Sequence, residues 1–125
     1  MISGIHTIIY SDDPEATRAF FRDVLAWSNL DAHDGWLIFK TPPSELAVHP
    51  TDAEGDGTAA TLPQHQASLM CDNINVTVAE LQGKGITVDT DIRNQGWGLV
   101  TSIEVPGAGS MLLYQPRHAL AHQLP

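Results

Sequence analysis

The sequence predicts an α+β chain built from two βαβββ modules, whose curved mixed sheets pair to form a cavity. Two observations predict it. Residues 6–25, HTIIYSDDPEATRAFFRDVL, run from an apolar β-branched stretch through an acidic turn into an amphipathic stretch. Residues 66–85, QASLMCDNINVTVAELQGKG, repeat that order, with Asp12, Thr17 and Ala19 recurring as Asp72, Thr77 and Ala79. A design written twice implies two units that stack and share a cleft. A third observation is that each copy is followed by three strand-like runs. A curved four-stranded half-sheet has open edges, and pairing two of them removes the liability.

The elements follow in order. Residues 5–10 are apolar and β-branched and read as a strand. Asp13 is placed to cap a helix whose first position is Pro14. Thr17, Phe21, Val24 and Leu25 form its apolar stripe, widened by Ala16, Ala19 and Phe20. A short strand follows at 27–30, then a turn at Asp34-Gly35 and a strand at 36–40. Pro42 and Pro43 break the chain before another short strand at 46–49. Residues 51–64 are rich in Asp, Gly, Thr and Ala and read as a linker.

In the second module, 67–71 reads as a strand. Asp72 or Asn73 caps a helix with Ile74, Val78 and Leu81 on one face, and Gly83 and Gly85 end it. Strands are expected at 86–92, 99–105 and 111–114, with a bend at Gly96-Trp97-Gly98 and a turn at Pro106-Gly107. The boundaries are therefore module one at about 4–50, linker at about 51–64, module two at about 65–116 and a tail at 117–125. The whole makes a single domain.

Composition narrows the function. Fifteen Asp and Glu stand against six Lys and Arg, a formal net charge of -9. Such a field repels phosphate backbones and anionic lipid heads, which sets nucleic acid and membrane aside as partners. No run approaches the length of a membrane span. Cys71 is the only cysteine, so no disulfide forms within the chain and a cytoplasmic location is expected. It reads as a small buried hydrophobe. No phosphate-binding loop and no nucleophile turn are present.

The stretches DDPEATRAFFRDVL, SLMCDNINVTVAELQGKGI and WGLVTSIEVPGAGSMLLYQPRH resemble the vicinal oxygen chelate superfamily of glyoxalases, bleomycin-resistance proteins and extradiol dioxygenases. The resemblance runs from about residue 5 to residue 116. In metal-using relatives the first and last strands of both modules supply ligands. By position this implies His6, His49 and Gln66 as the metal set, with His65 beside Gln66. The candidate ions are zinc, nickel and manganese, which accept nitrogen and mixed donors. The family's glutamate place in the last strand falls on Leu113, and leucine binds no metal.

Glu104 is the remaining carboxylate, a candidate base. His6, Trp36, Gln66, Trp97 and Leu113 are the candidate lining for a small organic ligand, with polar groups spaced along an apolar wall. Leu113 is expected to face the cavity and Tyr114 to face away. The resemblance implies a homodimer, with modules paired within one chain or across two. Three functions stand side by side. One is a ligand-binding, glyoxalase-like protein that is metal-assisted as a lyase or isomerase. Another is a non-catalytic drug-binding protein of the bleomycin-resistance kind. The third is a structural or interaction module.

Overall fold

A computed structural model describes Met1, residues 6–49 and residues 65–125. The linker expected at 51–64, and Ile5 of the first expected strand, lie outside those residues.

Helix α1 (Pro14–Ala19) starts as its sequence dictates. The Asp13 carboxylate accepts from the Ala16 amide at 3.2 Å, satisfying a donor that has no partner inside the helix. The helix then widens. Leu25 N donates to Phe20 O at 3.1 Å, closing a five-residue step across Phe20–Val24. The extra residue in that turn points Phe20 and Phe21 into the core together. Ala26, at φ +56°, ends the coil.

Strands β1 (Asn29–Asp31) and β2 (Leu37–Phe39) form an antiparallel hairpin with Leu30 opposite Ile38. Its turn has Asp34 at φ +44° and Gly35 at φ +85°. Two positive φ angles in succession match the twist of a hairpin. Asp31 accepts from Gly35 N at 3.1 Å and locks the turn.

The second sheet is four-stranded and mixed. It contains β3 (Ser68–Met70), β4 (Arg93–Asn94), β5 (Gly98–Val105) and β6 (Gly109–Pro116) in the order β3-β6-β5-β4. Strand β3 runs parallel to β6, and the other pairs are antiparallel. Helix α2 (Ile74–Gly83) crosses one face, capped by Asn73, which accepts from Val76 N. Alternation sorts the strands. Leu69, Thr101, Ile103, Val105 and Leu113 point toward α2, where Ile74, Val78 and Leu81 meet them with Phe20 and Phe21. Ser68, Met70, Val100, Ser102, Glu104, Leu112 and Tyr114 occupy the opposite, open face.

The first module therefore gives its helical segment to the core beneath α2. One junction secures it. Asp12 N donates to Gly107 O at 2.9 Å, Ser11 Oγ donates to the same oxygen at 2.9 Å, and the buried Thr17 hydroxyl donates to Pro106 O.

Several expected strands take another form. Neither 6–10 nor 46–49 joins a sheet in this single chain. Their β-branched and apolar residues favour a strand only where a neighbouring strand offers partners. The strand expected at 86–92 reduces to one bridge, Val88 to Ile103, followed by β4. An Asp89 turn, with Asp89 Oδ1 accepting from Asp91 N, interrupts it. Among the described residues no helix is long and apolar enough to cross a membrane.

Candidate functional site

The open face of the four-stranded sheet gathers the side chains with recognition chemistry. Val100 is only 4% exposed although it sits on this face, opposite Tyr114 in register. The Trp97 ring packs edge-on against Tyr114, centroids 5.4 Å apart. Trp97 is fixed by its flanking glycines. Gly96 takes φ +82°, and a Cβ on Gly98 would lie 2.8 Å from Gln115 O. That contact is closer than a methyl group tolerates, so β5 and β6 meet here only through glycine.

The tail completes the cluster. Arg117 N donates to Trp97 O at 2.8 Å, and Arg117 Nη1 donates to Asn94 Oδ1 at 2.9 Å. The His118 ring stands 6.1 Å from that of Tyr114. Further on, Ala121 N donates to Glu45 Oε1, and His122 Nδ1 lies 3.4 Å from the same oxygen. Burial pushes the Tyr114 phenol above its ordinary range, and the Glu45 charge adds to the shift. A carboxylate, a phenol, two imidazoles and an indole thus share one side of the sheet. Such a set can stack an aromatic body and accept a hydrogen bond from it.

The residues named from sequence are dispersed. His6, His49 and Gln66 are exposed, all in irregular segments. Among the described residues no three His, Cys, Asp or Glu side chains are grouped to hold a metal ion. Glu104 lies on the open face but is exposed, opposite Ser110 at the far end of β5. Trp36 is 67% exposed, with the Arg18 guanidinium 5.5 Å over its ring. Only Trp97 joins the cluster.

Leu113 departs from its expected orientation. It is 2% exposed and packs under α2, so its neighbour Tyr114 takes the open face. The parity is set by Gln115, whose Oε1 accepts from Ile74 N at 3.0 Å. That bond puts every odd residue of β6 on the helix side. Leu113 does line a small apolar pocket of about 150 Å³ with Leu25, Trp27, Leu69 and Leu81. Cys71 is half-buried at the start of α2, and desolvation raises its thiol above the ordinary range. A thiol held neutral is a poor nucleophile.

The sequence reading turned Tyr114 away from the cavity and did not single out Glu45, His118 or His122. Tyr114 was reachable through the Gln115 cap had that bond been visible. The tail histidines have no periodic pattern to mark them.

The Glyoxalase/Bleomycin resistance protein/Dioxygenase superfamily model matches residues 5–114. In three dimensions the chain is similar to a lactoylglutathione lyase from Agrobacterium tumefaciens, at 18% identity and a TM-score of 0.60, covering 91% of this chain and 94% of that one. It is similar to TnmS3, an antibiotic binding protein from Streptomyces sp. CB03234, at 20% identity and a TM-score of 0.61, covering 92% and 97%. A superfamily member from Sphaerobacter thermophilus DSM 20745 shares 19% identity at a TM-score of 0.57, covering 91% and 98%. These likenesses establish the fold. No curated protein sequence matches the chain.

Proposed function

We propose that this chain, which belongs to the glyoxalase/bleomycin resistance protein/dioxygenase superfamily, binds a small organic molecule on the open face of its four-stranded sheet. The observation that carries the reading is the Val100, Tyr114 and Trp97 surface, apolar and aromatic, with the half-buried Glu45 as its polar end. A few polar groups on an apolar wall are what an organic ligand needs for orientation. Solved structures of similar fold include one named as a lyase and one named as an antibiotic binding protein, so the architecture accommodates both turnover and plain binding.

A second copy supplies the opposite wall. Ile8, Tyr10, Leu46 and Val48 of module one are exposed, Val48 at 90%, as are Leu30 and Ile38 of the β1–β2 hairpin. A two-stranded sheet is marginal on its own, and large apolar side chains left exposed are what a partner chain can bury. Pairing with another chain would give 6–10 and 46–49 the strand partners they lack.

The metal-assisted reading has less support. His6, His49 and Gln66 are scattered over exposed segments, and the family's carboxylate place holds the core residue Leu113. Among the described residues no three His, Cys, Asp or Glu side chains come together as a divalent ion would need.

The test is calorimetry against bleomycin-like glycopeptides and hydrophobic antibiotics, with tryptophan fluorescence as a second signal. Saturable binding that Tyr114→Ala weakens by about ten-fold or more supports the site, as expected for a central aromatic anchor. Binding indifferent to both Tyr114→Ala and Trp97→Ala would place the ligand elsewhere and end the reading.

A further inference from the structure

We propose that residues 117–125 form a strap, pinned by Glu45, that occupies the open face beside Tyr114 and lifts when a ligand arrives. This rests on the reading that the open face is the ligand's. The pin joins distant parts of the chain. Glu45 comes from module one, in an irregular stretch that no strand partner holds. The Glu45 side chain is nevertheless 15% exposed, far more covered than its neighbours Leu46 and Val48. What covers it is the tail, through Ala121 N and the His122 ring.

The strap is fixed firmly at one end and weakly at the other. Near β6, Arg117 donates twice, from its backbone to Trp97 O and from its guanidinium to Asn94. Near Glu45, a single carboxylate oxygen serves both Ala121 N and His122 Nδ1. The imidazole nitrogen is buried, yet its 3.4 Å approach makes no proper hydrogen bond. A buried nitrogen without a well-made bond disfavours the closed arrangement. The hinge lies between these ends, at residues 118–120, where His118 and Ala119 are exposed, Leu120 is half-buried and the His118 ring stands beside Tyr114.

This arrangement also states what lifts the strap. Glu45 is the acceptor that Ala121 and His122 compete for. A ligand with an aromatic body and a donor group, an amine or a hydroxyl, can stack on Tyr114 and Trp97 and take that acceptor. The tail thus stands in for the ligand: an imidazole against the phenol ring and an N–H on the carboxylate.

Amide hydrogen exchange on the full chain tests the pin, and Nile red fluorescence tests the face beneath it. Ala121 should be protected in the unaltered protein. Glu45→Ala should speed its exchange by about ten-fold or more while core amides of β5 stay unchanged. Glu45→Gln keeps an acceptor oxygen and should retain most of the protection. Nile red emission should rise several-fold in Glu45→Ala and return to baseline when Tyr114→Ala is added. An Ala121 amide exchanging freely in the unaltered protein overturns the strap, whether or not either variant folds. Release of the tail in Glu45→Ala with no gain in Nile red emission overturns the lid role, while calorimetry on Tyr114→Ala and Trp97→Ala decides the binding face separately.

Discussion

Two glycines with nearly the same backbone conformation offer a controlled test of the junction between modules. Gly107 has φ +79° and Gly85 has φ +82°. Alanine at either site meets the left-handed penalty of about 1–2 kcal/mol, partly offset by about 0.4–1 kcal/mol of lost unfolded-state entropy. At Gly85 nothing lies within 4 Å of a new Cβ, so Gly85→Ala should cost about 1 kcal/mol. At Gly107 the Cβ would sit 2.6 Å from Asp13 O and 2.7 Å from Ser11 Oγ. Neither atom can yield freely. Ser11 Oγ donates to Gly107 O at 2.9 Å, accepts from Asp13 N at 2.9 Å and lies 2.8 Å from the Thr17 hydroxyl. Losing two of these bonds at about 0.5–1.5 kcal/mol each brings Gly107→Ala to about 3 kcal/mol. With a urea slope near 2 kcal/mol/M, the midpoints should fall by about 1.5 M for Gly107→Ala and about 0.5 M for Gly85→Ala. Both are measured at one protein concentration, because association shifts apparent stability. Equal shifts, within about 0.3 M, would mean that the Ser11–Gly107 contact does not hold the modules together.

Other consequences are more direct. Leu113→Ala should destabilise by about 2–5 kcal/mol, read from the same urea transition, because it opens a cavity in the core under α2. Cys71 and Tyr114 both have raised proton affinity in the folded chain, mainly through burial. Their stabilising contribution is therefore whole below their ordinary values of 9.0 and 10.0 and fades as pH rises through the folded ones. The urea midpoint should decline above about pH 9, and Cys71→Ala should flatten part of that decline. Sedimentation should give a particle of about twice the 13.5 kDa chain mass. Leu46→Ser with Val48→Ser should weaken that association by about ten-fold or more; a monomer at all concentrations would refute the second-copy wall. Dialysis with zinc, nickel and manganese followed by elemental analysis should leave less than one ion per chain, and a stoichiometric ion would restore the metal-assisted reading.

What could be read from sequence were the features whose causes are local. The Asp13 and Asn73 caps, the Pro14 start, the Asp34-Gly35 turn and the apolar faces of both helices stand as written. Each depends on residues within a turn or two. The strands expected at 99–105 and 111–114 were also legible, running 98–105 and 109–116 in the structure, because the turn between them sets their register. Where strands needed a distant partner, pattern and structure separate. Residues 6–10 and 46–49 carry strand chemistry but find no edge in one chain, and 86–92 keeps a single bridge.

The candidate site shows the same division one level up. Positional analogy placed His6, His49, Gln66 and Leu113 around a cavity, on the premise that the strands bearing them would close into two half-barrels. Leu113 fails for a reason of parity alone: the Gln115 to Ile74 bond turns odd-numbered residues of β6 toward α2. No composition or spacing rule reports a side-chain cap forty residues away. The same parity turns Tyr114 outward, and with it the face that Trp97 and the tail then cover. His6 and His49 are a different case, since both are exposed in segments that join no strand of the described sheets. The charge balance bears on what pairs with them. A chain with fifteen acids and six basic residues resists close approach to its own copy, so apolar burial must outweigh the repulsion. Ile8, Tyr10, Leu30, Leu46 and Val48 are all exposed and carry no formal charge. Raising salt screens the repulsion and leaves the apolar term, so association should tighten from low salt to about 0.5 M. Association that loosens with salt would show that charge pairs, not this face, bring two chains together.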